Sequence, residues 1–181
     1  MKFLKLKLSG ILQYFAAEDF TTLRTTYMTS IVPTKRAIVG LISCAKGYAR
    51  NSDDISKLSN SIIVKYKSNT IPILLEDFQT IKPLKCQKNY MNKFYKGNKF
   101  PTVSGNTRET QLIKNIQYLQ NADFDVYIGA ADELLEDIYN AIRNPVYALY
   151  LGKRSCIPNK PIVEEFILIE EEELSDVYYC A

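Results

Sequence analysis

From Phe78 to Arg108 the chain carries no Asp or Glu, yet this stretch holds Lys82, Lys85, Lys88, Lys93, Lys96, Lys99 and Arg108, interleaved with Tyr90, Phe94, Tyr95 and Phe100. So many ammonium groups cannot be buried together, and Pro83, Gly97, Pro101 and Gly105 interrupt both helical and strand periodicity. The rest of the fold must therefore be built around a basic loop or loose hairpin that projects from it. Cations release counterions from a phosphate backbone, and aromatic faces stack on unpaired bases. The pattern suits single-stranded nucleic acid, RNA in particular, better than a small substrate. The plainer reading is a solvated loop kept basic for solubility; the complete exclusion of acids favours RNA.

The imbalance runs through the chain. Residues 1–108 carry 18 Lys and Arg against 6 Asp and Glu, and residues 109–181 carry 5 against 14, so the net charge of +3 hides two oppositely charged halves. At 181 residues and 46% hydrophobic the chain can bury one good core, and a single domain over 1–181 is expected. Within it, 79–110 reads as the projecting insertion and 159–181 as an acidic C-terminal strand or tail. Cys44, Cys86, Cys156 and Cys180 form no CxxC pair and read as reduced, mostly buried thiols. There is no histidine, which removes the commonest general base near neutral pH and the commonest zinc ligand. No catalytic residue, metal or cofactor is expected. The longest weakly polar run, Ala37 to Ala45, is far short of the roughly 20 residues that span a bilayer. A soluble, cytoplasmic protein without a membrane partner is the expectation.

Leu4, Leu6 and Leu8 alternate with Lys5 and Lys7, which predicts a half-buried first strand. A long polar connection, Thr21–Ser30 with Arg24 and Tyr27, precedes a helix that starts near Pro33. Its stripe is Ala37, Ile38, Leu41, Ile42 and Ala45, and it ends at Gly47. Lys35 and Arg36 lie in the first turn, where the helix dipole disfavours cations unless both face a phosphate. Ser52-Asp53-Asp54 can cap a short helix. Strands over 61–66 and 70–75 are expected to form a hairpin through Lys67-Ser68-Asn69. Strands at 111–118 and 125–129 follow, then a helix with Leu134, Leu135, Ile138, Tyr139 and Ile142 on one face, and a late strand at 166–169. Tyr14 and Phe15 read as core. The order predicts an α+β, ferredoxin-like (RRM-like) sheet with helices on one face.

The segment from Pro145 to Cys156 is the most distinctive. Gly152 lets backbone approach a phosphate closely, and Lys153, Arg154 and Ser155 follow at once. A basic helix-to-strand turn is the plainer alternative. Neither a GxGxxG nor a GxxxxGK[ST] loop occurs. Glu170-Glu171-Glu172-Glu173 reads as a solvated strand end, with a contact to a basic protein as second choice.

Leu151-Gly152-Lys153-Arg154-Ser155-Cys156 resembles the Leu-Gly-Arg-Arg-Ser-Cys-Pro signature of the Cas-five family, RAMP-superfamily subunits of CRISPR Cascade complexes such as CasD of type I-E. Ser9-Gly10-Ile11-Leu12-Gln13-Tyr14, Pro33-Thr34-Lys35-Arg36-Ala37-Ile38-Val39-Gly40-Leu41, Asn51-Ser52-Asp53-Asp54, Asp77-Phe78-Gln79-Thr80 and Arg108-Glu109-Thr110 are similar to further family blocks, in family order. In this chain Ile157 separates Cys156 from Pro158, and the resemblance implies a C-terminal region shorter than in typical members.

The resemblance implies an antiviral RNA-binding subunit that grips the 5′ handle of the guide RNA and caps the backbone filament, with the basic insertion as a thumb. Its implied partners are the guide RNA, Cascade backbone subunits and the large PAM-reading subunit, with target DNA met indirectly. The residues assigned to RNA are Arg24, Lys35, Arg36, Lys82, Lys85, Lys88, Lys93, Lys96, Lys99, Arg108, Tyr150, Gly152, Lys153, Arg154 and Ser155. The rival reading is a metal-independent endoribonuclease that processes precursor guide RNA, with Tyr27, Tyr147 or Tyr150 beside Lys35 or Lys153 in place of the missing histidine. A stand-alone RRM-like protein is a third; a neighbouring CRISPR array would separate it from the first.

Overall fold

The computed structural model describes residues 1–17, 26–81, 100–101, 107–108 and 112–180. In chain order the elements are β1 (Lys2–Ser9), β2 (Leu12–Gln13), β3 (Thr26–Tyr27), α1 (Lys35–Lys46), α2 (Asp53–Ser61), β4 (Ile63–Ser68) and β5 (Ile73–Ile81), then β6 (Phe100–Pro101), β7 (Thr107–Arg108), β8 (Leu112–Gln120), β9 (Asp123–Gly129), α3 (Asp132–Arg143), β10 (Leu168–Glu170) and β11 (Tyr178–Tyr179).

The alternation in β1 does what the sequence predicts. Leu4, Leu6 and Leu8 are buried in the main core with Ile38 and Ile42 of α1 and Leu135 and Ile138 of α3, while Lys5 stays outside. Each such side chain removed from water is worth about 1.5–3 kcal/mol, so this one face supplies much of the driving force. The first sheet has the order β10-β1-β9-β4-β11, antiparallel throughout. Its four principal strands with α1 and α3 reproduce the ferredoxin-like arrangement, as expected.

Thr34 caps α1 by accepting a hydrogen bond from the Ala37 amide, and Gly47 ends it in the left-handed region at φ 73°. The Ser52 side chain caps α2, accepting from the Asp54 amide. Gly47 and Ser52 match the sequence reading, but α1 starts at Lys35 with Pro33 outside it, and α2 runs on to Ser61, so that β4 begins at Ile63 and not at 61.

The hairpin expected through Lys67-Ser68-Asn69 does not form. β4 pairs with β9 in the first sheet, whereas β5 pairs with β8 in a second sheet that also holds β2 and β3. Asn69 is used differently: its amide and side chain donate to the Asp123 carbonyl and carboxylate, tying the exit of β4 to the start of β9. The chain therefore changes sheets at the polar residues that a hairpin would have used to turn. The β5–β8 ladder runs from Ile73 opposite Gln120 to Ile81 opposite Leu112, so Gln79–Ile81 belong to the ladder and the basic stretch is inserted at its far end.

The two charged halves interleave. Lys2, Lys5, Lys7, Lys46, Lys65 and Lys67, all from the basic half, pair with Asp132, Asp125, Asp123 and Asp125, Asp137, Glu171 and Asp176 respectively. Glu171 of the acidic run thus clasps Lys65, which also lies 4.9 Å from the Phe3 and Tyr179 ring centroids. Much of the basic half's charge is consumed inside the fold, which narrows the groups left for an anionic ligand.

Burial pushes the Asp123 and Asp125 carboxyls up, but hydrogen bonds from Lys7 and Asn69 to both, and from Lys5 to Asp125, outweigh it and hold both below 3.8. Groups with lowered native values contribute stability that is complete above their unfolded value and is lost as pH falls through the native one. Thermal melts are expected to fall off steeply below about pH 4. Asp125→Asn is expected to cost about 1.5–3 kcal/mol at neutral pH and to flatten this acid limb; an unchanged limb would assign it elsewhere.

Candidate nucleic-acid interface

The turn from Leu151 to Cys156 is closed by its own backbone. The Leu151 amide donates to the Cys156 carbonyl at 2.8 Å and the Cys156 amide to the Lys153 carbonyl at 2.8 Å. Buried Leu151 and Cys156 pin the two ends, leaving Gly152, Arg154 and Ser155 exposed between them. Gly152 sits at φ 98°, and a Cβ there would come within 1.7 Å of the Tyr14 carbonyl oxygen. Only glycine fits this position. On the other side the Tyr14 amide donates to the Leu151 carbonyl at 2.9 Å, and a Cβ on Gly10 would meet Leu151 and the Ile157 carbonyl.

The start of α1 adjoins this turn. Ala37, Ile38 and Leu41 line one small pocket together with Tyr150, Leu151 and Gly152. Lys35 is half-buried and Arg36 exposed in a first helical turn that has no acidic residue. Of the site residues read from separate motifs, Tyr150 and Gly152 thus meet the helix whose first turn carries Lys35 and Arg36.

Lys153 takes a different position from the neighbours it was grouped with. Its ammonium lies 4.0 Å from the Tyr14 ring centroid, 4.7 Å from Tyr27 and 5.5 Å from Tyr118, a cage drawn from three distant segments. Burial lowers its pKa, with the Cys156 thiol opposing and Lys114 lowering it further. Burial likewise raises the Tyr14 phenol and the Cys156 thiol. Cation–π attraction is strongest where water is excluded, so Lys153 ties the Leu151–Cys156 turn to Tyr14, to Tyr27 of β3 and to Tyr118 of β8. The exposed cation of the turn is Arg154.

Arg24 and Lys82, Lys85, Lys88, Lys93, Lys96 and Lys99 lie outside the described residues, as does Cys86; Arg108 is described as part of β7. Phe15 is core, as read, but Tyr14 is only partly buried and belongs to the cage. Tyr27 was set beside Lys153 only in the endoribonuclease reading, and Tyr118 and Lys114 were not grouped with the site from sequence. Lys114, Ile116 and Tyr118 share one face of β8 by period two, and that alternation is the signal that could have found them. Among the described residues there is no group of three or more His, Cys, Asp or Glu side chains able to hold a metal, and no helix long and apolar enough to cross a membrane.

The glycine turn, the cap of α1 and the block around Gly10 that packs on the turn are the features that the resemblance singled out. The model of the family described as CRISPR-associated protein (Cas_Cas5) matches residues 3–179. The chain belongs to the Cas5 family. This Cas5 chain is similar in fold to a chain of a CRISPR RNA-guided surveillance complex, at TM-score 0.72 and 20% identity, over 89% of this chain and 61% of that one. It is also similar to a Cas protein in a crystal structure, at TM-score 0.59 and 21% identity, over 90% and 62%. The Cas5 chain described here thus spans about three fifths of the length of either. No curated protein matches it.

Proposed function

We propose that this chain is a non-catalytic RNA-binding subunit of a type I CRISPR Cascade complex, of the type I-E CasD kind, which holds the 5′ handle of the guide RNA and caps the backbone filament. The observation that carries this reading is the exposed Arg154–Ser155 pair on a glycine turn beside the start of α1, in a chain matched by the Cas5 model over 3–179. Backbone amides, a hydroxyl and a guanidinium at one place suit phosphate oxygens. The lysines of the 82–99 stretch are assigned to the same strand, and the backbone and large PAM-reading subunits to the neighbouring surfaces.

One observation favours the rival endoribonuclease. Lys153, with its lowered pKa, lies beside Tyr14 and Tyr27, and a neutral amine is a base. The arrangement opposes it more than it supports it. The ammonium lies over ring faces, which favours its charged form, and burial makes the Tyr14 phenol harder to ionise. The test is to purify the chain with its complex, sequence the bound RNA, and incubate it with repeat RNA in EDTA. CRISPR repeat-derived transcripts and intact RNA are expected. Cleavage lost on Lys153→Ala would establish the rival, and an absence of CRISPR transcripts would overturn the guide-binding role.

A further inference from the structure

Tyr27 stands at the exposed edge of the tyrosine cage, 36% accessible, on a strand paired in parallel with β8. Two ammonium groups flank its ring: Lys153 at 4.7 Å and Lys114 at 5.8 Å from the centroid. Lys114 disfavours the charged form of Lys153, whereas the Cys156 thiol and the Asp77 carboxylate across the ladder favour it. Asp77 is itself engaged, accepting from the Gln79 side chain at 2.5 Å. Like charges held beside one partly exposed aromatic ring form an arrangement that a ligand offering both a π surface and a negative charge relieves. A nucleotide is such a ligand.

The location fits. Arg154 follows Lys153 at one end, and at the other Lys114 stands two residues from the start of β8, where the basic insertion leaves the ladder. Tyr27 therefore lies between the Leu151–Cys156 turn and the start of β8.

We propose that Tyr27 is a base-stacking subsite for single-stranded RNA, with Lys114 as its flanking cation and Lys153 as the positioning residue that holds the ring in place. This deepens the guide-binding reading and rests on it. Stacking on one aromatic side chain acts on the base, whereas the contact at Arg154 acts on the phosphate, so the two separate experimentally.

The probes are a single-stranded oligoadenylate and an abasic oligomer with the same number of phosphates, titrated against the full-length protein. Tyr27→Leu is expected to weaken oligoadenylate binding by roughly 5- to 100-fold, leaving abasic binding and the salt dependence unchanged, while Tyr27→Phe retains binding. Arg154→Glu is expected to weaken both probes alike. Equal loss of both probes in Tyr27→Leu, or loss of neither, overturns the subsite and leaves the guide-binding reading standing; failure of the unaltered protein to bind either probe overturns both. Should Tyr27→Leu not fold, 5-iodouridine RNA photocrosslinked to the unaltered protein decides the matter. Crosslinks on the peptide containing Tyr27 are expected, and crosslinks confined to other peptides overturn the subsite.

Discussion

Gly152→Ala is expected to lower the melting temperature by roughly 10 °C and to abolish RNA retention, although it adds a single methyl group to an exposed position. Two costs combine. A non-glycine residue at φ 98° carries backbone strain of about 1–3 kcal/mol. The new Cβ would also lie 1.7 Å from the Tyr14 carbonyl oxygen, whose peptide unit is held by the Phe15 amide donating to the Thr29 hydroxyl at 2.9 Å and cannot turn away without straining that bond. A total near 3–4 kcal/mol corresponds to about 10 °C for a domain of this size. Gly40→Ala is the internal comparison. A Cβ there meets nothing within 4 Å, and a helical Gly→Ala change gains about 0.5–1 kcal/mol, so its melting temperature should rise slightly. A melt of Gly152→Ala indistinguishable from that of the unaltered chain would show that the turn relaxes freely and that its glycine serves something other than the approach to Tyr14.

The periodic features of the chain were legible because they report local burial. Leu4, Leu6 and Leu8 had to face a core whatever strand lay beside them, and Thr34 and Gly47 bound their helix through interactions a few residues long. Sheet membership was not legible in the same way. Ser68 and Asn69 carry turn chemistry, but whether they close a hairpin depends on Asp123, more than fifty residues away, which takes the Asn69 donors. The site divides along the same line. Gly152, Arg154 and Ser155 lie within one run of four residues and were readable as a turn; Tyr14, Tyr27 and Tyr118 meet only through folding, and cation–π contacts leave no period in a sequence. Lys153 was grouped with its neighbours by adjacency, whereas its role follows from what folds over it. The opposite charges of the two halves, evident from composition, gave no sign that six of the lysines would be spent on internal pairs.

Arg154→Glu is expected to cut guide RNA retention at physiological salt by about tenfold or more without altering the melting temperature. The side chain is exposed, so reversing it leaves the core intact. What changes is the charge presented to a phosphate, from attraction to repulsion, at a range where screening over about 8 Å does not remove it. Loss of one phosphate contact on a single strand should also make the plot of log affinity against log salt shallower by about 0.7. Lys57→Glu tests whether any exposed cation would do. Lys57 is exposed on α2 and pairs locally with Asp54 at 3.6 Å, so its reversal should leave both retention and slope nearly unchanged. Similar losses in the two variants would mean that the RNA senses overall charge and has no built contact at the turn. Undiminished retention in Arg154→Glu, with the slope intact, would place the phosphate-binding residues away from the Leu151–Cys156 turn altogether.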